Sequence, residues 1–297
     1  MSAANPARPV WPFDIAVVGL GIVGTHQITR EAEQVIRRCK RTFVIESGYG
    51  ITDYVKTLCP KAKSLGSLYE RGKSRLPTYR KMAAEVVSAA LTETPVCLAV
   101  YGHPWVYCYP TTLVKRAADL LNLHVEVFSG ISSFDTLLAD LGTDIAFDGI
   151  QMYEATDILL RKRPIQNDVA CIIWQSTIVG DPTYPEKPFG VRHFQPLQDY
   201  LLRFYPATHL VRLVTTKTFP LLRSNIQHFR LDRLAIELQR GPLVGTLFIP
   251  PIHSRPIADM ELLKKMVVMS QTPPPTKEAK SPRPGRPMIG PRPPHKA

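Results

Sequence analysis

The chain lacks the features that mark several protein classes: paired cysteines, long apolar runs and a basic stripe interleaved with aromatic residues. Its 297 residues include five widely scattered cysteines, Cys39, Cys59, Cys97, Cys108 and Cys171. No CxxC pair occurs, which argues against zinc and a disulfide framework, so we expect no metal and a reducing, cytoplasmic compartment. No segment approaches the ~20 apolar residues of a membrane span, and the first residues lack the apolar core of a secretory signal. We therefore expect no membrane partner.

A formal net charge of +12 invites a nucleic-acid interpretation. Residues 271–297, however, hold six lysines and arginines against one glutamate, which leaves only about +7 for the rest of the chain. Those remaining cations are dispersed and accompany no nucleic-acid motif, so we expect no nucleic-acid partner. The same 27 residues hold 9 of the 28 prolines. Such a segment cannot bury enough apolar surface to fold, and it predicts a disordered tail.

Strands, turns and helices alternate through the first half of the chain, which predicts an α/β fold. Apolar runs predict strands at 15–19, 42–45, 95–100 and 124–128, and helical patterns occupy 25–39, 76–91, 111–121 and 129–141. This alternation favours a parallel-rich sheet, whose ligands bind at the carboxyl ends of the strands.

The second half has fewer β–α–β units and more extended segments, which predicts a mixed sheet. We expect strands at 169–174, 209–214 and 246–251, and helices that include 199–204 and 231–237. The chain is thus predicted to have two lobes, and its divisions are an N-terminal arm 1–12, an α/β lobe 13–148, a mixed α/β lobe 149–255, a helical extension 256–270 and the Pro-rich basic tail 271–297.

One motif suggests a dinucleotide-binding enzyme. Gly19, Gly21 and Gly24 form a GxGxxG turn after the first strand, and Glu46 ends the next strand, where an acid would hold a ribose hydroxyl. A lone match of this kind is weak, because any tight strand–helix turn selects glycine. A nicotinamide-dependent oxidoreductase is therefore one alternative.

The stretch Tyr69–Tyr79, YERGKSRLPTY, is the most unusual in the chain, with two tyrosines, one lysine and two arginines. Only Leu76 is strongly apolar, so the stretch lacks the apolar spacing that predicts a core helix. A phenol beside a guanidinium can acquire a lowered pKa or hold a developing oxyanion. The alternative is a basic loop with two half-buried tyrosines. A second unusual string, Tyr101-Gly-His-Pro104, follows downstream.

Taken together, several strings resemble the tetrapyrrole-methylase superfamily of S-adenosylmethionine-dependent methyltransferases, and within it the borosin peptide α-N-methyltransferases. The resemblance covers roughly residues 13–255. The matching strings, in order, are GLGIVGTHQIT from Gly19, the Tyr69–Tyr79 motif with Met82, Tyr101–Pro104 with Val106, Gly130–Ser133 with Ala139–Leu141, Tyr153–Ala155 with Gln175, and Phe248–Pro251. The tyrosine–arginine motif is the feature that distinguishes the peptide-methylating branch.

The resemblance implies a two-lobed α/β methyltransferase that works as a homodimer and holds S-adenosylmethionine between its lobes, releasing S-adenosylhomocysteine. The residues that it implies for cofactor binding are Tyr101, His103, Val106, Ser132, Ser133, Gln175, Thr215 and Thr246. Structural roles are open for some of them, since His103 can cap a turn and Ser132 and Ser133 are good helix caps.

The implied catalytic residues are Tyr69, Arg75 and Tyr79, and the chemistry of amide methylation suits them. An amide nitrogen is a poor nucleophile because its lone pair is delocalised into the carbonyl. Methylation needs the imidate form, whose oxygen Arg75 can stabilise. Either tyrosine can take the amide proton or hold the carbonyl oxygen, and we take Tyr69 as the base as a hypothesis.

The chain also departs from the family. Trp105 stands where a small residue is usual, and Gly66 replaces a common tyrosine. The tail has only Met288 and Ile289 as strongly apolar residues, and proline has no N–H to methylate. We therefore predict an enzyme that acts on a separately encoded precursor peptide with a leader and an apolar core. The alternatives are a tetrapyrrole or other small-molecule methyltransferase, the oxidoreductase, and an inactive peptide-binding module.

Overall fold

The computed structural model describes residues 12–46, 50–146, 148–186 and 188–271. Most of the expected N-terminal arm and all but the first residue of the expected tail therefore lie outside the described residues. The chain divides into two compact units, Met1–Ser254 and Arg255–Ala297. The two sheets described below belong to the first unit.

The first sheet has five strands in the order β3-β2-β4-β1-β5, and every neighbouring pair is parallel. The strands are β1 (Ile15–Gly19), β2 (Arg41–Ile45), β3 (Ala62–Ser64), β4 (Val96–Val100) and β5 (Val125–Phe128). Strands β1 and β4 are buried at every position, as their continuous apolar sequences require of central strands covered on both faces.

Each strand of the first sheet is followed along the chain by an α-helix: α1 (Arg30–Arg38), α2 (Ile51–Leu58), α3 (Arg75–Ala90), α4 (Tyr109–Leu120) and α5 (Ser133–Leu141). Alternate residues of β1 point to opposite faces. Ile15 and Val17 pack in the core that α3 and α4 cover, whereas Ala16 and Val18 pack with α1 and α2. Leu137 of α5 instead belongs to a core cluster of the second sheet.

The second sheet is mixed, in the order β6-β7-β10-β8-β9, with β6 and β7 parallel and the other pairs antiparallel. Its strands are β6 (Ile150–Glu154), β7 (Ala170–Trp174), β8 (Leu210–Thr215), β9 (Asn225–Arg230) and β10 (Thr246–Ile249). Helices α6 (Ala155–Arg161), α7 (Val191–Leu201) and α8 (Leu234–Arg240) cover one face. The predicted fold class, a parallel-rich sheet followed by a mixed one, is confirmed.

The second unit contains helix α9 (Met260–Gln271) in its described part. Across the residues that the structure describes, no helix has the length and apolar character needed to cross a bilayer. Strands β1–β5 precede residue 148 and β6–β10 follow residue 149. The lobe and tail boundaries given above remain our proposal.

Several predicted elements differ from the structure. The helix expected at 25–39 is a 3₁₀ turn at Gly24–Gln27 followed by α1, because the Thr29 side chain accepts a hydrogen bond from Ala32 N–H and starts a new helix. Helix α7 runs over Val191–Leu201, so the expectation that a helix includes 199–204 is correct for residues 199–201 and wrong for 202–204. The sequence patterns did not predict α2, β3 and β9.

Candidate active site

Three turns at strand ends of the first sheet lie in close contact with one another. A Cβ atom at Gly19 would lie 2.5 Å from the Gly102 carbonyl oxygen and 2.6 Å from Gly130 Cα. Gly102 N–H donates to Gly21 O at 2.8 Å, and Leu20 N–H donates to Val100 O at 2.8 Å. The carboxyl ends of β1, β4 and β5 therefore converge where an open α/β sheet binds its ligands.

The glycine-rich turn does not have the geometry of a dinucleotide site. The Gln27 carboxamide oxygen accepts hydrogen bonds from Ile22 N–H and Val23 N–H, at 2.8 and 2.9 Å. These are the backbone donors that a pyrophosphate would need. The Glu46 carboxylate, expected to hold a ribose, accepts instead from Thr52 and from the Ser64 hydroxyl. Both groups that the dinucleotide interpretation requires are thus already bonded within the protein.

The tyrosine–arginine motif is a loop that leads into α3. Tyr69 lies after a 3₁₀ turn, and Arg75 is the first residue of the helix, which Ser74 caps. The guanidinium of Arg75 donates through Nη2 to Asp181 O at 2.7 Å and through Nε to Pro182 O at 3.4 Å. A cation at a helix N-terminus opposes the helix dipole. Bonds to two carbonyls offset that cost and fix the guanidinium.

The two tyrosines of the motif lie together in an aromatic cluster. The ring centroids of Tyr69 and Tyr79 are 6.2 Å apart in an edge-on arrangement, and Tyr184 lies 5.3 Å from Tyr69. Burial raises the pKa of Tyr69 well above its ordinary value, and the neighbouring Tyr79 and Tyr101 add to that rise. This direction is opposite to the lowered pKa that a nearby guanidinium would give, because burial dominates the shift.

Tyr101, assigned to the cofactor from the sequence, also belongs to this cluster. Burial of its hydroxyl raises its pKa to about 12, and Cys108 and Tyr79 contribute, while Arg75 opposes the shift. The residue as a whole is still 47% exposed. Its hydroxyl is therefore enclosed beside Tyr79 and Arg75, whereas part of its ring remains open to a ligand.

A cavity of about 430 Å³ opens beside these groups. Its lining comes from both halves of the unit: Arg75, Leu76, Tyr79, Trp105, Tyr107, Cys108, Tyr109, Thr112, Gln175 and Pro182. Tyr107 and Gln175 both adopt left-handed backbone conformations, with φ of 54° and 57°. Such conformations are costly for residues other than glycine and concentrate at functional sites. The structure thus brings Gln175, Arg75 and Tyr79 together around one cavity.

Other predicted cofactor residues have structural roles in the described chain. His103 Nδ1 accepts a hydrogen bond from Trp105 N–H at 3.1 Å, and Val106 N–H donates to His103 O at 3.0 Å. The Ser132 hydroxyl accepts from Phe134 N–H and Asp135 N–H and caps α5. Ser133 is the first residue of that helix.

Thr215 and Thr246 lie at the edge of the second sheet where β7 ends. In the register, Thr246 pairs with Val214, and β10 runs antiparallel to β7, so both threonines lie near the strand end that leads into Gln175. The Thr215 hydroxyl donates to Val244 O at 3.0 Å. Neither threonine lines the cavity beside Arg75.

The sequence did not reveal Tyr107, Tyr109, Asp181, Pro182 and Tyr184 as parts of the site. The sequence could have indicated Tyr107 and Tyr109, because they directly follow the Tyr101–Val106 string as two tyrosines separated by one residue. The other three lie more than 100 residues from Arg75 and reach it only through the tertiary fold.

Residues 14–170, more than half of the chain, match the family described as Tetrapyrrole (Corrin/Porphyrin) Methylases. Two solved structures share the fold. The methyltransferase CobJ superposes with a TM-score of 0.56 at 13% identity, over 82% of this chain and 96% of that one. A uroporphyrin-III-C-methyltransferase from Thermus thermophilus gives 0.56 at 16% identity, over 80% and 91%. At these identities the likeness confirms the expected fold alone.

Among curated proteins, the chain is similar to three described as methyltransferases and ribosomally synthesized cyclic peptide precursors. It is 26% identical over 266 residues to the gymnopeptides precursor of Gymnopus fusipes, with 89% of this chain and 63% of that protein aligned. It is 26% identical to the type III borosin precursor of Anomoporia bombycina, with 85% and 30% aligned. For the omphalotin A precursor of Omphalotus olearius the values are 26%, 90% and 64%. The chain thus spans less than two thirds of each relative.

Proposed function

The chain belongs to the tetrapyrrole (corrin/porphyrin) methylase family, and from that premise we propose that it transfers a methyl group from S-adenosylmethionine to backbone amides of a peptide. The observation that carries this proposal is the cavity walled by Arg75, Tyr79 and three further aromatic residues, with the Tyr69 phenol beside it. The names of the relatives, which join a methyltransferase to a cyclic peptide precursor, support the same substrate class.

The residues present fit S-adenosylmethionine. Its sulfonium is a cation, and the cavity wall carries four aromatic side chains, whose ring faces attract cations. The absence of a Cβ at Gly19 and Gly130 lets the turns after β1, β4 and β5 approach closely, at the end of the sheet where an open α/β fold binds its ligands. Directly after Gln175, the buried Ser176 hydroxyl has no hydrogen-bond partner among the described residues. Tyr101, Val106 and Gln175 would hold the cofactor, together with the backbone near Ser132, Thr215 and Thr246.

Charge favours a peptide over a tetrapyrrole. A porphyrin precursor carries several carboxylates, which proteins bind with several cations. Arg75 is the single lysine or arginine among the cavity-lining residues described, and two of its five donors already bind carbonyls. A neutral peptide bond needs one cation only, at the oxygen that becomes charged.

The chain's own residues supply the remaining chemistry. When bound, S-adenosylmethionine provides an electrophilic methyl group on sulfur. Arg75 has three N–H donors left to stabilise the imidate oxygen, in a partly buried site where such bonds are strong. Tyr69 takes the amide proton in our proposal. Its raised pKa makes the phenolate scarce but strongly basic, which a very weakly acidic amide requires.

The test of this function is incubation with methyl-labelled S-adenosylmethionine and a lysate of the source organism, with Arg75→Ala as the control. Label recovered as N-methyl amino acids after hydrolysis supports the proposal and identifies the peptide. Label in a pigment would move the activity to tetrapyrroles. A wild-type reaction without labelled product, or one in which Arg75→Ala labels equally well, would contradict the proposal.

We further propose that the substrate peptide is separately encoded and that the enzyme is a homodimer. The first proposal rests on the proline-rich, cationic composition of residues 271–297. The intact mass of the purified protein after incubation with S-adenosylmethionine alone checks it, because methylation in cis would add mass in steps of one methyl group. Sedimentation velocity of the same protein checks the second.

A further inference from the structure

Residues 181–184 pair through their backbone with residues 72–75 of the tyrosine–arginine motif. Gly72 N–H donates to Tyr184 O at 2.7 Å, Tyr184 N–H donates to Lys73 O at 2.9 Å, and Arg75 N–H donates to Pro182 O at 3.0 Å. Ser74 and Thr183 form an antiparallel bridge between these bonds. The two segments therefore make a short two-stranded ladder, which joins chain that follows β7 to the loop before α3.

Further contacts link residues 181–184 to the side chains of Arg75 and Tyr69, the proposed cation and the proposed base. Asp181 O and Pro182 O accept the two guanidinium bonds of Arg75, and the Tyr184 ring packs on Tyr69 at 5.3 Å with a 31° tilt. The Asp181 carboxylate accepts from Thr183 N–H at 2.9 Å and from its hydroxyl at 3.0 Å. The turn that presents the two carbonyls is thus ordered by its own side chains.

We propose that residues 181–184 form a positioning platform, in which Tyr184 orients Tyr69 and the Asp181 turn orients Arg75. The platform rests on the proposed function, because its purpose is to aim these two groups at the substrate amide. Tyr184 is a positioning residue in this scheme and acts only through Tyr69.

Burial alone does not explain the contact. Tyr184 is 43% exposed, so its ring gains less from leaving water than a core residue does. The partner ring, Tyr69, is packed against the core under α3. The contact with Tyr184 therefore holds the Tyr69 ring, which lies beside Tyr79 in the cavity wall. Misplacement of a reacting group by about 1 Å can cost ~100-fold in rate.

The kinetic test compares Tyr184→Leu with Tyr184→Phe, and uses Leu160→Ala, at a side chain 79% exposed, as the control. We expect Tyr184→Leu to lower kcat for methyl transfer by about tenfold or more, with KM for S-adenosylmethionine within about twofold, because orientation and not binding is lost. Tyr184→Phe keeps the ring and should restore most of the rate. Wild-type kcat in Tyr184→Leu, or equal losses in both Tyr184 variants, would overturn the proposal.

Hydrogen exchange tests the platform without any activity. In Asp181→Ala, the amides of Gly72 and Arg75 should exchange about tenfold or more faster than in the wild type, because the turn that accepts their bonds is no longer held. Unchanged exchange at both amides would overturn the platform. A wild-type enzyme without methyl transfer would instead refute the proposed function and leave this measurement valid.

Discussion

Burial makes the Tyr69 phenol less acidic, and its proposed role as base therefore predicts a recognisable pH dependence. Burial raises its pKa, so the phenolate fraction in the free enzyme keeps growing with pH beyond the ordinary tyrosine range. We expect log kcat/KM to rise with a slope of about 1 across the alkaline range without a plateau below pH ~10. Initial rates in overlapping buffers check this. A plateau below pH ~9 would show a base with a lowered pKa.

The paired substitutions Tyr69→Phe and Tyr79→Phe separate base from clamp. Both keep the ring, and with it the edge-on contact at 6.2 Å, so each removes a hydroxyl with little change in packing. We expect Tyr69→Phe to lower kcat by about 100-fold or more, the usual scale for a general base, and Tyr79→Phe to cost less. Single-turnover rates measure both. Full activity in Tyr69→Phe with loss in Tyr79→Phe would reverse the assignment.

Substitution of Ser132 tests whether its hydroxyl acts as a helix cap or as a ligand contact. Its hydroxyl accepts two backbone N–H bonds of α5 and donates to the Asp135 carboxylate at 2.6 Å. Ser132→Ala should therefore lower the free energy of unfolding by about 1 kcal/mol without any cofactor, whereas Ser133→Ala, at a position that is not the cap, should not. Urea unfolding of the two variants decides. Equal stability of both, with lost affinity for S-adenosylhomocysteine only in Ser132→Ala, would favour a ligand role.

At the scale of elements, the site depends on how closely the β1, β4 and β5 turns approach. Gly19→Ala places a Cβ within 2.6 Å of backbone atoms in two other turns, which cannot move independently of their strands. We expect a loss of about 1–3 kcal/mol in the free energy of unfolding. The control is Gly190→Ala, since that glycine has φ of −81° and nothing within 4 Å of its Cβ position, and it should stay within about 1 kcal/mol. Similar losses in both variants would contradict the close approach.

Strands and helices were predictable from the sequence where complete burial requires a continuous apolar run. β1, β4 and β7 are buried at every position, and their apolar runs gave their bounds to within one residue. β3 has three residues and β9 has three of its six residues exposed, so neither leaves an apolar pattern. Helix α1 begins late because the Thr29 cap interrupts a pattern that is otherwise continuous.

The site was predictable to the extent that its residues lie in one string. Tyr69, Arg75 and Tyr79 share such a string, and the structure brings them to one cavity region with Gln175. The platform at 181–184 has no sequence signal, because its contacts with Arg75 and Gly72 use backbone carbonyls, which every residue carries. The direction of the Tyr69 pKa shift was likewise not predictable, since it depends on how deeply the folded chain buries the phenol.

At the scale of the whole molecule, the increase in unfolding free energy on ligand binding tests which cofactor the protein binds. The converging turns accept a ligand only if the two halves of the first unit are folded, so binding is linked to unfolding. S-adenosylhomocysteine at 100 times its Kd should add about 2.7 kcal/mol to the free energy of unfolding. For a domain of roughly 250 residues that is a rise in Tm of about 5–10 °C.

NAD⁺ is the matched control for this shift, because it shares the adenosine group but needs a pyrophosphate site. The Gln27 carboxamide occupies the Ile22 and Val23 amides, and Glu46 is bonded to Thr52 and Ser64, so NAD⁺ should leave Tm unchanged. Differential scanning calorimetry at matched ligand concentrations makes the comparison. A shift with NAD⁺ alone would restore the oxidoreductase alternative. A Tm shift with neither ligand would contradict binding of S-adenosylmethionine, on which the proposed reaction depends. The close packing of the glycine turns would then serve stability alone.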